Sequence, residues 1–378
     1  MITNIAFFGH NAHDAAVMRR IGSLQRTGSQ VRGYTMRREA PGSTDWDNVD
    51  LGRTYDGAMG QRLSSIVRAF PRLRPHYAEL RKADIWVARN LDMLILAYLT
   101  RKAAGARAPL VYECLDIHHL MTRTDLVGRM MRGIERRLIL ASERVIVSSP
   151  GFIREYFDVH HRDQYQVSII ENRLPPGSVP DGRPEAGIAK RADAPIVIGW
   201  FGNLRCVRSM TLLRDIARHM PDRVRVVLYG NPSLFDIPDF DQQVQGLPNL
   251  EYRGRYRYPD DLARIYGEVD LIWAGDFHDA RFNSRWLLPN RVYEGGYFGV
   301  PPIAPLDSET GRWIQNRSEG WVVANPLEQT LGELLARLSH QEIFERRCKL
   351  LALDRERFVQ PEQEMSLFVD QVLHRSVA

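Results

Sequence analysis

Residues Leu288 to Ala304 read LPNRVYEGGYFGVPPIA, and the reading of this stretch decides the fold. Pro289 and Asn290 are residues that open helices, and Arg291 and Glu294 lie three apart, so a helix starting here presents both on one face. The glycines at 295 and 296 let that helix approach a neighbour closely. The apolar VPPIA that follows is a strand. A helix feeding directly into a short apolar strand is one half of a βα repeat.

The same alternation runs outward in both directions. Upstream, the first half of the chain offers NIAFFG, SQVRGYTM, ADIWVARN, APLVYECLD, ERVIVSS and QVSIIENR as strands separated by helical patterns. LPPGSVPDGRPEAGIAKRADAP after Asn172 is rich in Pro, Gly and charge, the composition of an exposed linker. A second series then begins with PIVIGWFGN, VRVVLYGNP, NLEYRGR, VDLIWAGD, VPPIAP and GWVVAN. The expected class is α/β, with two Rossmann-like doubly wound domains facing a cleft. Residues 1–175 form the first, 176–194 the linker, 195–355 the second, and 356–378 a closing helix. A length of 378 residues supports two cores.

Composition narrows the function classes. Lys plus Arg number 51 against 46 acids, a net +5 that is too mild to indicate nucleic acid. The excess is local: between Arg53 and Lys82 seven bases face only Asp56 and Glu79. Within that segment SSIVRAFPRLRPHYAELRK places Ile66, Val67, Phe70, Leu73, Tyr77 and Leu80 among arginines, an amphipathic helix interrupted at Pro71 and Pro75. Such a surface fits the anionic inner face of a cytoplasmic membrane; a helix packed on the sheet with solvated charges is the plainer reading. Cys114, Cys206 and Cys348 have neither disulfide nor metal-ligand spacing. The start MITNIAFFGH reads as a strand rather than an export signal, and LDMLILAYL is far short of the roughly 20 residues that cross a bilayer. A cytoplasmic protein, peripheral at the membrane, is expected.

Ligands of open α/β sheets bind beyond the carboxyl ends of the strands. In the second domain, the start of the Leu288–Ala304 helix favours a phosphate, with Arg291 adding a charged donor. Glu294 is placed to accept from both ribose hydroxyls, and Gly295 clears room beside it; the plainer alternative is an Arg–Glu surface pair with glycines that serve packing. IVIGWFGNLRCVRS ends a strand in glycines that admit a diphosphate, with Arg205 and Arg208 to neutralise it. It is not the G-x-G-x-x-G fingerprint of a dinucleotide cofactor.

These motifs in this order resemble the GT-B glycosyltransferases, particularly the family-four type and related enzymes of bacterial exopolysaccharide synthesis. The resemblance runs through IERRLILASERVIVSSPGFIREYF, VSIIENRL, IVIGWFGNLR, LPNLEYRGRYRYPDDLARIYGEVDLIWA and LPNRVYEGGYFGVPPIA. It implies transfer of a hexose from a nucleoside diphosphate sugar, a uridine one, to a lipid-linked saccharide. It also implies a C-terminal helix crossing back to the first domain. His10, His13 and Asp14 hint at a metal, but no ligand set of recognised spacing completes it, so no metal or other cofactor is expected. Carried over from the family, Arg291 meets the diphosphate, Glu294 the ribose, and Arg255 and Tyr256 the base; Gly202, Asn203, Arg205 and Arg208 of the glycine loop, and Gly295 beside Glu294, complete the expected donor site. In retaining members a second Glu often stands eight positions before the ribose Glu; here that position is Trp286, and Asp279 is the nearest earlier acid.

In the first domain the loops after the first and fourth expected strands, GHNAHDA and ECLDIHH, carry the titratable groups that suit acceptor activation. Asp116 leads, because YECLD is similar to a family segment reading Tyr-acid-x-His-Asp, with Leu115 in place of the His. Asp14, His118 and His13 are the further candidates, with helix capping by Asp14 the plain alternative. The rival functions are a GT-B epimerase or phosphorylase, which turns over without a lipid acceptor, and a non-catalytic sugar-nucleotide binding module.

Overall fold

A computed structural model describes residues 2–38, 42–54, 59–162, 164–279 and 282–375, apart from the side chains of 59–63 and 375. The chain divides into two compact units, 1–170 with 361–378, and 171–360.

The strands of the first unit are β1 (Asn4–Gly9), β2 (Gln30–Arg37), β3 (Asn48–Arg53), β4 (Ile85–Arg89), β5 (Leu110–Cys114), β6 (Arg144–Val147) and β7 (Val167–Ile169). Between them run α1 (Ala15–Gln25), α2 (Met59–Ala69), α3 (Tyr77–Leu80), α4 (Asn90–Ala104), α5 (Leu126–Leu140), α6 (Pro150–Phe152) and α7 (Asp158–His160). The sheet order is β3-β2-β1-β4-β5-β6-β7, with every pairing parallel. Sequence periodicity misses β3. NVDLGR alternates weakly, lies at the sheet edge beside β2 alone, and carries Gly52 at φ 104°.

The second unit holds β8 (Ile196–Leu204), α8 (Val207–His219), β9 (Val224–Pro232), α9 (Phe240–Val244), β10 (Leu250–Tyr252), α10 (Leu262–Gly267) and β11 (Leu271–Trp273). It continues with α11 (Asn283–Trp286), α12 (Asn290–Tyr297), β12 (Pro302–Pro305), α13 (Glu309–Arg317), β13 (Trp321–Val323), α14 (Leu327–Arg337) and α15 (His340–Ala352). Its order is β10-β9-β8-β11-β12-β13, again parallel. All six strands expected after the linker are present. Along β8 the two-residue period sends Ile196, Ile198 and Trp200 into one core and Val197 and Phe201 into the other, so the sheet is covered on both faces.

The closing helix α16 (Glu362–Arg375) belongs to the first unit. Its Met365, Phe368, Val369 and Val372 pack with Val17, Ile21 and Leu24 of α1 over Ile5 and Phe7 of β1. Residues 171–194, which include the stretch expected as a linker, fall within the second unit. Arg183 is the reason that stretch is held: its guanidinium donates to the carbonyls of Gly296, Tyr297, Leu350, Leu351 and Leu353.

The basic segment 53–82 is helical with a break. α2 gives way to a 3-10 stretch at Phe70–His76, where Pro71 and Pro75 sit, before α3. Ile66, Leu73 and Leu80 are buried and Phe70 and Tyr77 half-buried; Val67 stays exposed. Residues 55–58, Asp56 among them, and the side chain of Arg62 lie outside the described residues. No helix among the described residues is long and apolar enough to cross a membrane.

Candidate functional site

In each sheet the strand order reverses once, between β1 and β4 in the first unit and between β8 and β11 in the second. At such a point neighbouring connections leave to opposite faces and the strand ends stay uncovered, which makes it the default ligand position.

In the second unit the reversal is marked by glycines and one arginine. β8 and β9 stay paired as far as Leu204 and Pro232, with Gly202 opposite Gly230 at φ 107° and 135°. A Cβ at Gly230 would lie 1.9 Å from the Gly202 carbonyl oxygen, so only glycine fits, and a Cβ at Gly202 would meet the Arg291 Nη1 at 3.9 Å. From the first turn of α12, Arg291 donates from Nη1 to the Phe201 carbonyl at 2.9 Å and from Nη2 to the Gly275 carbonyl at 3.5 Å. It thereby bridges the C-terminal half of β8 and the loop after β11. Its Nε is buried without a hydrogen-bond partner.

Glu294, one turn on, is buried at 4% exposure and accepts from the Tyr266 hydroxyl at 2.8 Å. Burial, with the Glu294 charge second, pushes the Tyr266 phenol well above its usual value, so it stays a donor to the carboxylate. Glu294 is therefore an inward-facing group rather than half of a surface pair. The glycines beside it answer to packing: a Cβ at Gly295 would meet the Val300 carbonyl oxygen at 2.9 Å and Ile272 at 3.1 Å, and one at Gly296 the Phe358 ring at 2.1 Å. The space that Gly295 leaves is thus filled by protein atoms, the plainer of the two readings of that glycine pair.

The remaining residues expected around the nucleotide gather at the same edge. The Gly230 N–H donates to the Gly254 carbonyl at 2.9 Å, which sets the loop carrying exposed Arg255 and half-buried Tyr256 beside β9. Asn203 and Arg205 are exposed just past the glycine, and the exposed Arg208 stacks 4.8 Å over Phe277. Cys206 caps α8, its sulfur accepting from the Ser209 N–H at 3.3 Å and the Phe277 N–H at 3.2 Å. Burial raises its thiol, so the cap is uncharged and does not cancel the positive end of the helix. Trp286 is buried at the end of α11, edge-on to Phe282.

In the first unit Asp14 caps α1, its Oδ1 accepting from the Ala16 and Val17 N–H groups at 2.9 and 3.1 Å, while Oδ2 lies 3.9 Å from the His10 Nε2. His10 is buried directly after β1, its Nδ1 has no partner, and burial lowers its imidazole below the usual value against the raising pull of Asp14 and Asp92. Asp116 is exposed two residues past β5. His118 caps a short 3-10 turn, its Nδ1 accepting from the Leu120 N–H at 3.2 Å. The Asn90 side chain, accepting from the Leu115 N–H at 3.4 Å, ties the loops after β4 and β5 together. Among the described residues no group of three or more His, Cys, Asp or Glu is arranged to hold a metal.

No family model matches the chain. It is 40% identical over 343 residues, 89% of this chain and 84% of the relative, to the succinoglycan biosynthesis protein ExoL of Rhizobium meliloti. The chain belongs to the ExoL family. Solved structures similar to it over 99% of its length include Anabaena HepE in complex with UDP and glucose, at 15% identity and a TM-score of 0.71. Another is the lipopolysaccharide outer core galactosyltransferase WaaB, at 14% and 0.62; each is covered in full. The fold of this ExoL relative is GT-B.

Sequence reasoning missed two buried charge networks of this ExoL-family chain. Glu113, fully buried on β5, accepts from Arg20 at 2.7 Å and from Arg89 at 2.9 Å. Burial would raise its carboxyl, but the two guanidinium groups outweigh burial and hold it down at about 2. Glu135 of α5 takes hydrogen bonds from Tyr112 and Tyr156 and pairs with His161 at 2.8 Å, again buried. The charged residue in the otherwise apolar strand LVYEC is the one signal that points to the first network.

Proposed function

We propose that this chain is a hexosyl-transferring glycosyltransferase of exopolysaccharide or capsule synthesis, taking a sugar from a uridine diphosphate sugar and adding it to a lipid-linked saccharide at the membrane's cytoplasmic face. The observation that carries the proposal is Arg291 lying across the switch point of the second sheet, one turn ahead of buried Glu294. The ExoL relative's part in succinoglycan biosynthesis and the UDP and glucose of HepE support the substrate class.

The second unit takes the donor in this reading. Arg291, the amides around Gly202 and Asn203, and the exposed side chains of Arg205 and Arg208 meet the diphosphate and stabilise the charge that develops on it as it leaves. Glu294 orders the ribose, with Gly295 beside it, while Arg255 and Tyr256 flank the base. Countercharge comes from guanidinium groups and helix amides rather than a metal. The first unit takes the acceptor: Asp116 accepts the proton of the attacking hydroxyl or orients the sugar, and His118 lies in the same loop. Asp14, already bound as a cap, is left to act through the His10 beside it.

The test is incubation of labelled UDP-sugars with and without membranes containing the lipid-linked saccharide. Label is expected to move to lipid only when acceptor is present, and Asp116→Asn to abolish transfer with UDP affinity unchanged. Donor turnover to an epimer without acceptor would overturn the proposal in favour of an epimerase.

A further inference from the structure

Helix α5 (Leu126–Leu140) turns an apolar stripe outward. Leu126 is 72% exposed, Met130 57% and Leu140 61%, and Val127 at the first turn 41%. At 100° per residue Leu126, Met130, Arg137 and Leu140 fall within one arc, Arg129 and Arg136 flank it, and Gly128, Glu135, Leu138 and Ile139 occupy the opposite, buried side. Large apolar side chains grouped on one exposed helix face mark an interaction surface.

Charge says what the surface fits. The only acid of the helix, Glu135, points inward to Tyr112, Tyr156 and His161. Asp125 before the helix is paired with Arg123. Among the described residues Arg129, Arg136 and Arg137 have no carboxylate partner, so the outward face is an apolar stripe with Arg137 set into it and Arg129 and Arg136 along one side. Segment 59–82 differs, since Ile66, Leu73 and Leu80 are spent in the core and Val67 is its one strongly exposed large apolar side chain among the described residues.

We propose that the outward face of α5 is the surface by which this protein docks on an anionic lipid bilayer. The leucines and methionine enter the headgroup boundary while Arg129, Arg136 and Arg137 meet lipid phosphates. The inference rests on the reading of a lipid-linked acceptor, but its test needs neither donor nor acceptor. Loss of vesicle binding with transfer intact sinks this inference alone, and vesicle binding without transfer sinks only that reading.

The test is sedimentation with vesicles of phosphatidylcholine, with and without phosphatidylglycerol. Wild type is expected to bind the anionic vesicles and to be released by salt. The triple variant R129Q/R136Q/R137Q is expected to bind about 100-fold more weakly, about fivefold for each arginine. L126S/M130S should bind about tenfold more weakly, and V67S/R68Q/R74Q like wild type. Unchanged thermal unfolding establishes that the variants are folded. Three results would overturn the proposal: α5 variants that bind as wild type does, loss confined to the 59–82 variant, or a lipid-free dimer that L126S/M130S dissociates, which would give the face to a second copy of the chain.

Discussion

Replacing Arg291 by Ala separates its two functions, because each has its own magnitude. Two carbonyls lose a donor, Phe201 at 2.9 Å and Gly275 at 3.5 Å. At about 0.5–1.5 kcal/mol per hydrogen bond, the second unit should lose about 1–3 kcal/mol of stability. A bound diphosphate loses a charge-assisted partner worth about 1.5–3 kcal/mol, so the UDP dissociation constant should rise by about 10- to 150-fold. Uridine, which has no phosphate, should bind Arg291→Ala within about twofold of wild type, since its contacts are assigned to Glu294, Arg255 and Tyr256. Titration calorimetry of UDP and of uridine against wild type, Arg291→Ala and Glu294→Gln gives all the numbers. Glu294→Gln, which can still accept from Tyr266, should weaken both ligands together. If Arg291→Ala weakens UDP and uridine equally, or neither, the guanidinium is a structural tie and its assignment to the diphosphate is wrong.

Two further predictions concern stability. Glu113→Gln leaves the Arg20 and Arg89 charges buried without their carboxylate. The drop of its carboxyl from the usual 4.5 to about 2 corresponds to about 3 kcal/mol. Because the folded-state value is depressed, that contribution is present above pH 4.5 and is lost as pH falls through about 2. The variant should melt about 6–12 °C lower at pH 7, by scanning calorimetry. It should also lose less stability than wild type between pH 4.5 and 2; a wild-type slope retained there would refute the pairing. Gly296→Ala drives a Cβ into the Phe358 ring and should cost about 1–3 kcal/mol. Gly267→Ala, whose Cβ meets nothing within 4 Å, should be neutral or stabilising in the same unfolding assay.

The periodic parts of the fold were legible. Twelve strand segments read from the sequence reappear as strands, since a parallel strand covered on both faces reads as a short apolar run and each run here is bounded by turn residues and followed by a helical pattern. β3 was not, because NVDLGR has Asn, Asp, Gly and Arg at four of its six positions and buries only Leu51 and Gly52, which leaves no apolar run to read. Nor was the fate of residues 176–194, where Arg183 reads as a solvated charge but donates to backbone carbonyls of α12 and of the C-terminal end of α15. In the candidate site, sequence located Arg291 and Glu294 on one helix face. It left open whether the glycines served ligand or packing, and among the atoms a Cβ there would meet, those of Ile272 at position 295 and of Phe358 at position 296 come from segments distant in sequence. The burial of His10 and the pairing of Glu113 are likewise products of strand order, which composition does not encode.

Strand order also explains why one arginine stands where it does. At the reversal between β8 and β11, whose mutual pairing ends at Gly199 and Ile272, Arg291 supplies donors to the Phe201 carbonyl within β8 and to the Gly275 carbonyl in the loop after β11. A side chain tied at two points has already lost much of its rotamer freedom, so gripping an anion costs it little further entropy. Arg205 and Arg208 are both exposed, and among the described residues Arg208 is held only by its contacts with Phe277 and Asn325, so they keep more of that freedom and must surrender it on binding. In the proposed site the planar guanidinium of Arg291 therefore fixes where the diphosphate sits, whereas the exposed pair add countercharge without setting position. A lysine at 291 would keep the charge but not the fork that reaches both carbonyls. Arg291→Lys is accordingly expected to fall nearer to alanine than to wild type in UDP affinity, and a lysine variant indistinguishable from wild type would make charge, not geometry, the property that matters.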